Sequence, residues 1–128
     1  MNEDRLTPRH GNETILLVED EPAVRQLFAQ ALVRAGYRVF EARNGQEAMK
    51  VFDQSGDTID LLLTDLRMPY MGGTELVQHL RARRSSLKLI CVSGYPSAGE
   101  DELTTDFLSK PFSREDLLAK VREVLDRP

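Results

Sequence analysis

Three carboxylates, one hydroxyl and one lysine carry the chemistry that this sequence offers. Asp65 ends the apolar run Leu61-Leu62-Leu63-Thr64 and is followed by Leu66-Arg67-Met68-Pro69. Glu19 and Asp20 end a second apolar run, Thr14-Ile15-Leu16-Leu17-Val18. Ser93 closes the run from Leu87 to Val92, and Lys110 follows Phe107-Leu108-Ser109. Carboxylates crowded together repel, and each unit of pKa shift corresponds to about 1.4 kcal/mol. A hard divalent cation relieves that repulsion, and Mg²⁺ takes oxygen ligands, usually one or two carboxylates with several waters retained. A cation beside Asp65 would also neutralise an incoming phosphoryl group. A carboxylate can then act as a nucleophile and form an acyl phosphate. Lys110 could pair with phosphoryl oxygens and Ser93 could donate a hydrogen bond to one. Catalysis of this kind is mostly positioning and charge stabilisation.

Each residue also has a plainer reading. Asp65 and Ser93 could start turns, Glu19 and Asp20 could cap a helix beginning near Pro22, and Lys110 could be a solvated surface charge. The elements around them decide. Ile59 and Leu61 to Leu63 read as a strand buried on both faces. Thr14 to Val18, Tyr37 to Ala42, Leu87 to Val92 and Phe107-Leu108 read as four more strands. Between them, Val24, Leu27, Phe28, Ala31, Leu32 and Ala35 recur at helical spacing as one apolar stripe that Gly36 stops. Ala48, Val51 and Phe52 mark a helix behind the capping-box pair Asn44 and Glu47. Met71-Gly72-Gly73 reads as a flexible loop before a helix built on Leu76, Val77 and Leu80. Leu117, Leu118, Val121, Val124 and Leu125 line a last helix behind the pair Ser113 and Asp116. Ala98 to Thr104 has a poor apolar pattern and at most a short helix. Strand and helix alternate five times, which implies an α/β fold with a parallel sheet and helices on both faces. Ligands of such open sheets bind at the carboxyl ends of the strands, where all five candidate residues fall.

Bulk properties bound the alternatives. A chain of 128 residues with 41% hydrophobic and 30% charged residues suits one soluble domain. Its net charge of -4 argues against direct nucleic-acid binding. No apolar run reaches the roughly 18 residues that span a bilayer, so no membrane contact is expected. There is no secretory h-region, and the single cysteine, Cys91, suits a buried place in a reducing cytoplasm. Residues 1–13 read as a flexible lead-in or linker, and 14–126 as the domain. His10 and His79 stand alone, so no zinc cluster is expected, and no Gly-rich nucleotide loop is present.

Taken together, Leu17-Val18-Glu19-Asp20-Glu21, Asp65-Leu66-Arg67-Met68-Pro69 with Gly73, Val92-Ser93-Gly94-Tyr95 and Lys110-Pro111-Phe112 resemble the receiver domain of two-component response regulators. The resemblance runs from about Thr14 to Leu125. It implies a flavodoxin-like doubly wound sheet of strand order 2-1-3-4-5. It implies that Asp65 accepts a phosphoryl group from a phosphohistidine on a sensor histidine kinase or histidine phosphotransfer protein. Asp20, Asp65 and the main-chain carbonyl of Arg67 would hold Mg²⁺ (or Mn²⁺), with Glu19 assisting through water. Ser93 and Lys110 would bind the phosphoryl group. Ser93 and Phe107 would form the switch, and the Lys110-Pro111 bond would be cis. Beyond its own phosphorylation and dephosphorylation, no enzyme activity is implied for this chain.

Three departures from the family pattern stand out. Ser93 and Lys110 are 17 positions apart, fewer than in typical receivers, which predicts a shortened or missing fourth helix. The switch residue is Phe107 rather than Tyr and has no hydroxyl to anchor either state. Arg67 and Tyr95 are bulky residues flanking the site, expected to shield an acyl phosphate from water. The Ser-Gly-Tyr sequence and polar lead-in further resemble receivers of hybrid histidine kinases. The alternatives are a pseudo-receiver that binds without being phosphorylated, an aspartate-nucleophile phosphatase, and a flavin-binding protein. The phosphatase would need an acid where Arg67 stands, and the acidic Glu19-Asp20-Glu21 would repel a flavin phosphate.

Overall fold

The computed structural model describes residues 11–67, 71–93 and 106–128. The expected short helix at 98–104, Tyr95 and most of the lead-in lie outside these. Five strands form one parallel sheet: β1 (Thr14–Val18), β2 (Arg38–Ala42), β3 (Leu61–Asp65), β4 (Lys88–Ser93) and β5 (Phe107–Ser109). Their order is β2-β1-β3-β4-β5, as the resemblance implies. Among the described residues four α-helices connect or follow them: α1 (Pro22–Arg34), α2 (Gly45–Ser55), α3 (Gly73–Arg83) and α4 (Arg114–Leu125).

The sheet is covered on both sides, and its central strands are largely apolar and buried along their whole length. Every residue of β1 and β3 is buried. Ile15, Leu17, Leu61, Leu63, Ile90 and Val92 pack under α1 and α4. Their neighbours Leu16, Val18, Leu62, Leu89 and Cys91 pack under α2 and α3. The strand period of two sends alternate side chains to opposite faces, which is why unbroken apolar runs were needed. β2 lies at the edge and is largely exposed.

Local signals set the helix ends. Pro22 opens α1 and Gly36, at φ +102, follows its end. Ser113 and Asp116 form both bonds of a capping box at α4. Three expectations need correction. Leu27 is 65% exposed rather than part of the apolar stripe, because β-sheet and α4 cover a narrower arc of α1, centred on Phe28, Leu32 and Ala35. Asn44 does accept from the Glu47 N–H at 2.8 Å, but the Glu47 carboxylate reaches past Asn44 to the Arg43 N–H. Gly73 is not loop but the first residue of α3, with Gly72 before it as the cap.

Candidate functional site

β1 and β3 are adjacent and in register, with Val18 opposite Thr64. Asp65 therefore ends its strand beside the point where Glu19 and Asp20 leave theirs. The strand order reverses here: β2 lies to one side of β1 and β3 to the other, so the loops diverge and leave a crevice. One carboxylate oxygen from each of Glu19, Asp20 and Asp65 falls within a mutual 4.8 Å. Lys110 comes in from the end of β5. Its ammonium donates to Asp65 Oδ2 at 2.9 Å and to Glu19 Oε1 at 3.3 Å.

Each group is held from behind. Asp65 Oδ1 accepts the Arg67 N–H at 2.9 Å. Leu66 N–H donates to Val92 O, which carries the β3–β4 ladder past Asp65, and Gly73 N–H donates to Leu66 O. A Cβ on Gly73 would lie 2.3 Å from Asp65 O, so only glycine lets α3 start this close to the strand end. Lys110 N–H donates to Ser93 O at 3.0 Å, which ties the ends of β4 and β5 together. The Lys110-Pro111 bond is cis, as expected. Phe112 then stacks on Phe28 of α1 with ring centroids 5.0 Å apart, anchoring the Lys110 turn to the helix that follows the acidic pair.

The electrostatics are those of crowded acids. Glu19 and Asp65 are 2% and 6% exposed. Burial, which disfavours charge, pushes the Glu19 carboxyl up to about 7. The Glu21 N–H works against this, the nearby Asp65 adds to it, and Lys110 pulls it back. Burial acts to lower the Lys110 pKa, but its hydrogen bond to Asp65 and the charges of Asp65 and Glu19 outweigh that and raise it. Three carboxylates face one ammonium, so the cluster keeps excess negative charge. Oxygen donors alone, partly buried and negative in sum, fit a hard dication such as Mg²⁺.

The bland reading of Glu19 and Asp20 as helix caps does not hold. Glu21 is the N-cap of α1 and makes no side-chain cap bond. Ser93 is buried at the end of β4, and Phe107 of β5 packs partly buried against the cluster under α2 and α3. His79 is exposed on α3. One polar participant escaped the sequence reading. Arg25 Nη1 donates to the main-chain carbonyl of Glu19 at 2.9 Å, and nothing in the apolar pattern of α1 marks it.

A doubly wound parallel sheet in this order, with carboxylates and a lysine meeting at its switch point, defines a flavodoxin-like α/β domain. Residues 15–122 match the family model described as response regulator receiver domain, and the chain belongs to that family, the receivers of two-component systems. It is 40% identical to the sensor kinase CckA of Brucella abortus over 97% of this chain and 14% of that protein. Among solved structures, the receiver domain of the hybrid histidine kinase CckA is 35% identical with a TM-score of 0.77, covering 88% of this chain and 99% of that one. The response regulator TrrA of Thermotoga maritima, solved with Mg²⁺ and BeF, is 30% identical with a TM-score of 0.79 over 88% and 98% of the two chains. The chain spans about half the length, or less, of the curated relatives it matches. No helix among the described residues is long and apolar enough to cross a membrane.

Proposed function

We propose that Asp65 is the phospho-acceptor of this receiver. The observation that carries the reading is the buried Asp65 carboxylate, held by the Arg67 N–H on one oxygen and by Lys110 on the other, beside Glu19 and Asp20. An Asp65 oxygen attacks the phosphorus of a phosphohistidine; the new O–P bond forms as the N–P bond breaks, and the electron pair returns to the imidazole. Lys110 moves from the carboxylate to the phosphoryl oxygens, and Ser93 donates its hydroxyl to one of them. Asp20, Asp65 and the Arg67 carbonyl would hold Mg²⁺ or Mn²⁺, with Glu19 assisting through water. The bound cation supplies positive charge against the carboxylates and the phosphoryl oxygens. Ser93 and Phe107 form the switch.

The donor is a sensor histidine kinase or histidine phosphotransfer protein, in keeping with the kinase relatives. Residues 14–126 form the receiver unit, preceded by 1–13 as lead-in or linker. The unit works in the cytoplasm without direct nucleic-acid contact, and catalyses only its own phosphorylation and dephosphorylation. Incubation with acetyl phosphate and Mg²⁺, followed by intact-protein mass spectrometry, tests the reading. One phosphoryl group is expected on the wild type and none on Asp65→Asn; equal labelling of the two refutes it.

A further inference from the structure

We infer that Arg25 is a positioning residue for the cation site, fixing the Glu19–Asp20 peptide so that the Asp20 carboxylate faces Asp65. The inference rests on the reading that Asp20 and Asp65 hold the cation, and deepens it.

Four bonds hold Glu19. Its N–H donates to Ala42 O at 3.0 Å, which extends the β1–β2 ladder one residue beyond the strand. Its carboxylate receives the Glu21 N–H at 3.1 Å and the Lys110 ammonium. Its carbonyl accepts Arg25 Nη1 at 2.9 Å. That carbonyl belongs to the planar peptide whose nitrogen is Asp20's, so its direction fixes where Asp20 begins. The backbone turns out of β1 here, since Glu21 is already the cap of α1. The Arg25 side chain is only 15% exposed, and its Nε lies 3.4 Å from Glu41 Oε1 on β2. Glu41 is about half exposed, so this ion pair adds little energy by itself. It does direct the rigid guanidinium fork, leaving Nη1 aimed at Glu19. Arg25 thus ties α1 and β2 to the one peptide on which the placement of Asp20 depends.

The sign of the effect separates this role from its rivals. Arg25 carries a permanent positive charge near a cation site. If charge were its only influence, removing it would tighten cation binding. If it were only a strut between helix and strand, removing it would lower the melting temperature and leave affinity unchanged. A positioning role predicts weaker binding. Partners that orient metal ligands in this way are typically worth about 10-fold or more in metal affinity.

The test is calorimetric titration of Mn²⁺ into the 128-residue chain, with melting temperatures measured without metal. Arg25→Met is expected to bind about 10-fold more weakly; equal or tighter binding overturns the inference. Arg25→Lys keeps the charge, so electrostatics stay constant, but its ammonium lacks the fork that spans Glu19 and Glu41. It is expected to lose affinity too, and wild-type affinity there overturns the inference even if Arg25→Met does not fold. Asp20→Asn is the control. Unchanged affinity in that variant brings down the cation site itself, and this inference with it. A loss in Asp20→Asn with none in the Arg25 variants brings down the role of Arg25 alone.

Discussion

Replacing Gly73 by alanine places a methyl group against main chain that has nowhere to go. The added Cβ would stand 2.3 Å from Asp65 O, 2.7 Å from Leu66 Cα and 3.0 Å from Asp65 C. All three are backbone atoms of the strand end, so no rotamer change relieves the clash. Restoring ordinary contact requires the start of α3 to retreat by roughly 1 Å. That retreat stretches the bond from Gly73 N–H to Leu66 O, now 3.1 Å. Overpacking typically costs about 1–3 kcal/mol, and the better helix propensity of alanine returns at most about 1 kcal/mol. A net loss of about 1 kcal/mol lowers the melting temperature of a domain this size by roughly 3–5 °C. Gly72 is the matched control. A Cβ there meets only Leu66 O at 3.5 Å, and its φ of -72 suits any residue. Differential scanning calorimetry of Gly73→Ala and Gly72→Ala decides the matter. A Gly73→Ala melting temperature within about 1 °C of wild type, or an equal drop in both variants, refutes the steric account.

Two further outcomes are expected. Glu13 meets Arg122 through both oxygens, at 3.1 and 2.6 Å, and the hydrogen bond to Arg122 holds its carboxyl below the ordinary 4.5. Its stabilisation is therefore present above the ordinary value and lost as pH falls through the lowered one. Glu13→Gln should cost about 1–2 kcal/mol near pH 7, with the gap in melting temperature to wild type closing as pH falls below the ordinary 4.5 and through the lowered value; a gap that holds or widens in acid contradicts this. Arg67 is exposed beside the site, and its N–H contact with Asp65 belongs to the main chain. Arg67→Ala should keep that contact but uncover the acyl phosphate, shortening the phosphoryl lifetime several-fold, and an unchanged lifetime rules out shielding.

Most of the fold was legible because it rests on buried strands. The largely apolar strands Thr14–Val18 and Leu61–Asp65 are buried on both faces, and alternation with helices then points to a parallel doubly wound sheet. The candidate site was legible for the same reason, since its residues fall where those runs stop. Leu27 misled because periodicity marks an apolar face without saying how wide an arc the sheet will cover. Gly73 misled because a glycine pair reads as freedom, whereas here it permits close approach. Arg25 was invisible because its role depends on a carbonyl six positions earlier, and no side-chain pattern reports where a carbonyl points.

The central claim is that Asp65, and not a neighbouring carboxylate, takes the phosphoryl group. The most direct measurement is borohydride reduction of the phosphorylated chain, which converts an aspartyl phosphate to homoserine, followed by peptide mass mapping. The account predicts homoserine at position 65 and unmodified Glu19 and Asp20. Homoserine at position 20, or reduction that leaves Asp65 intact in a fully phosphorylated sample, would contradict it.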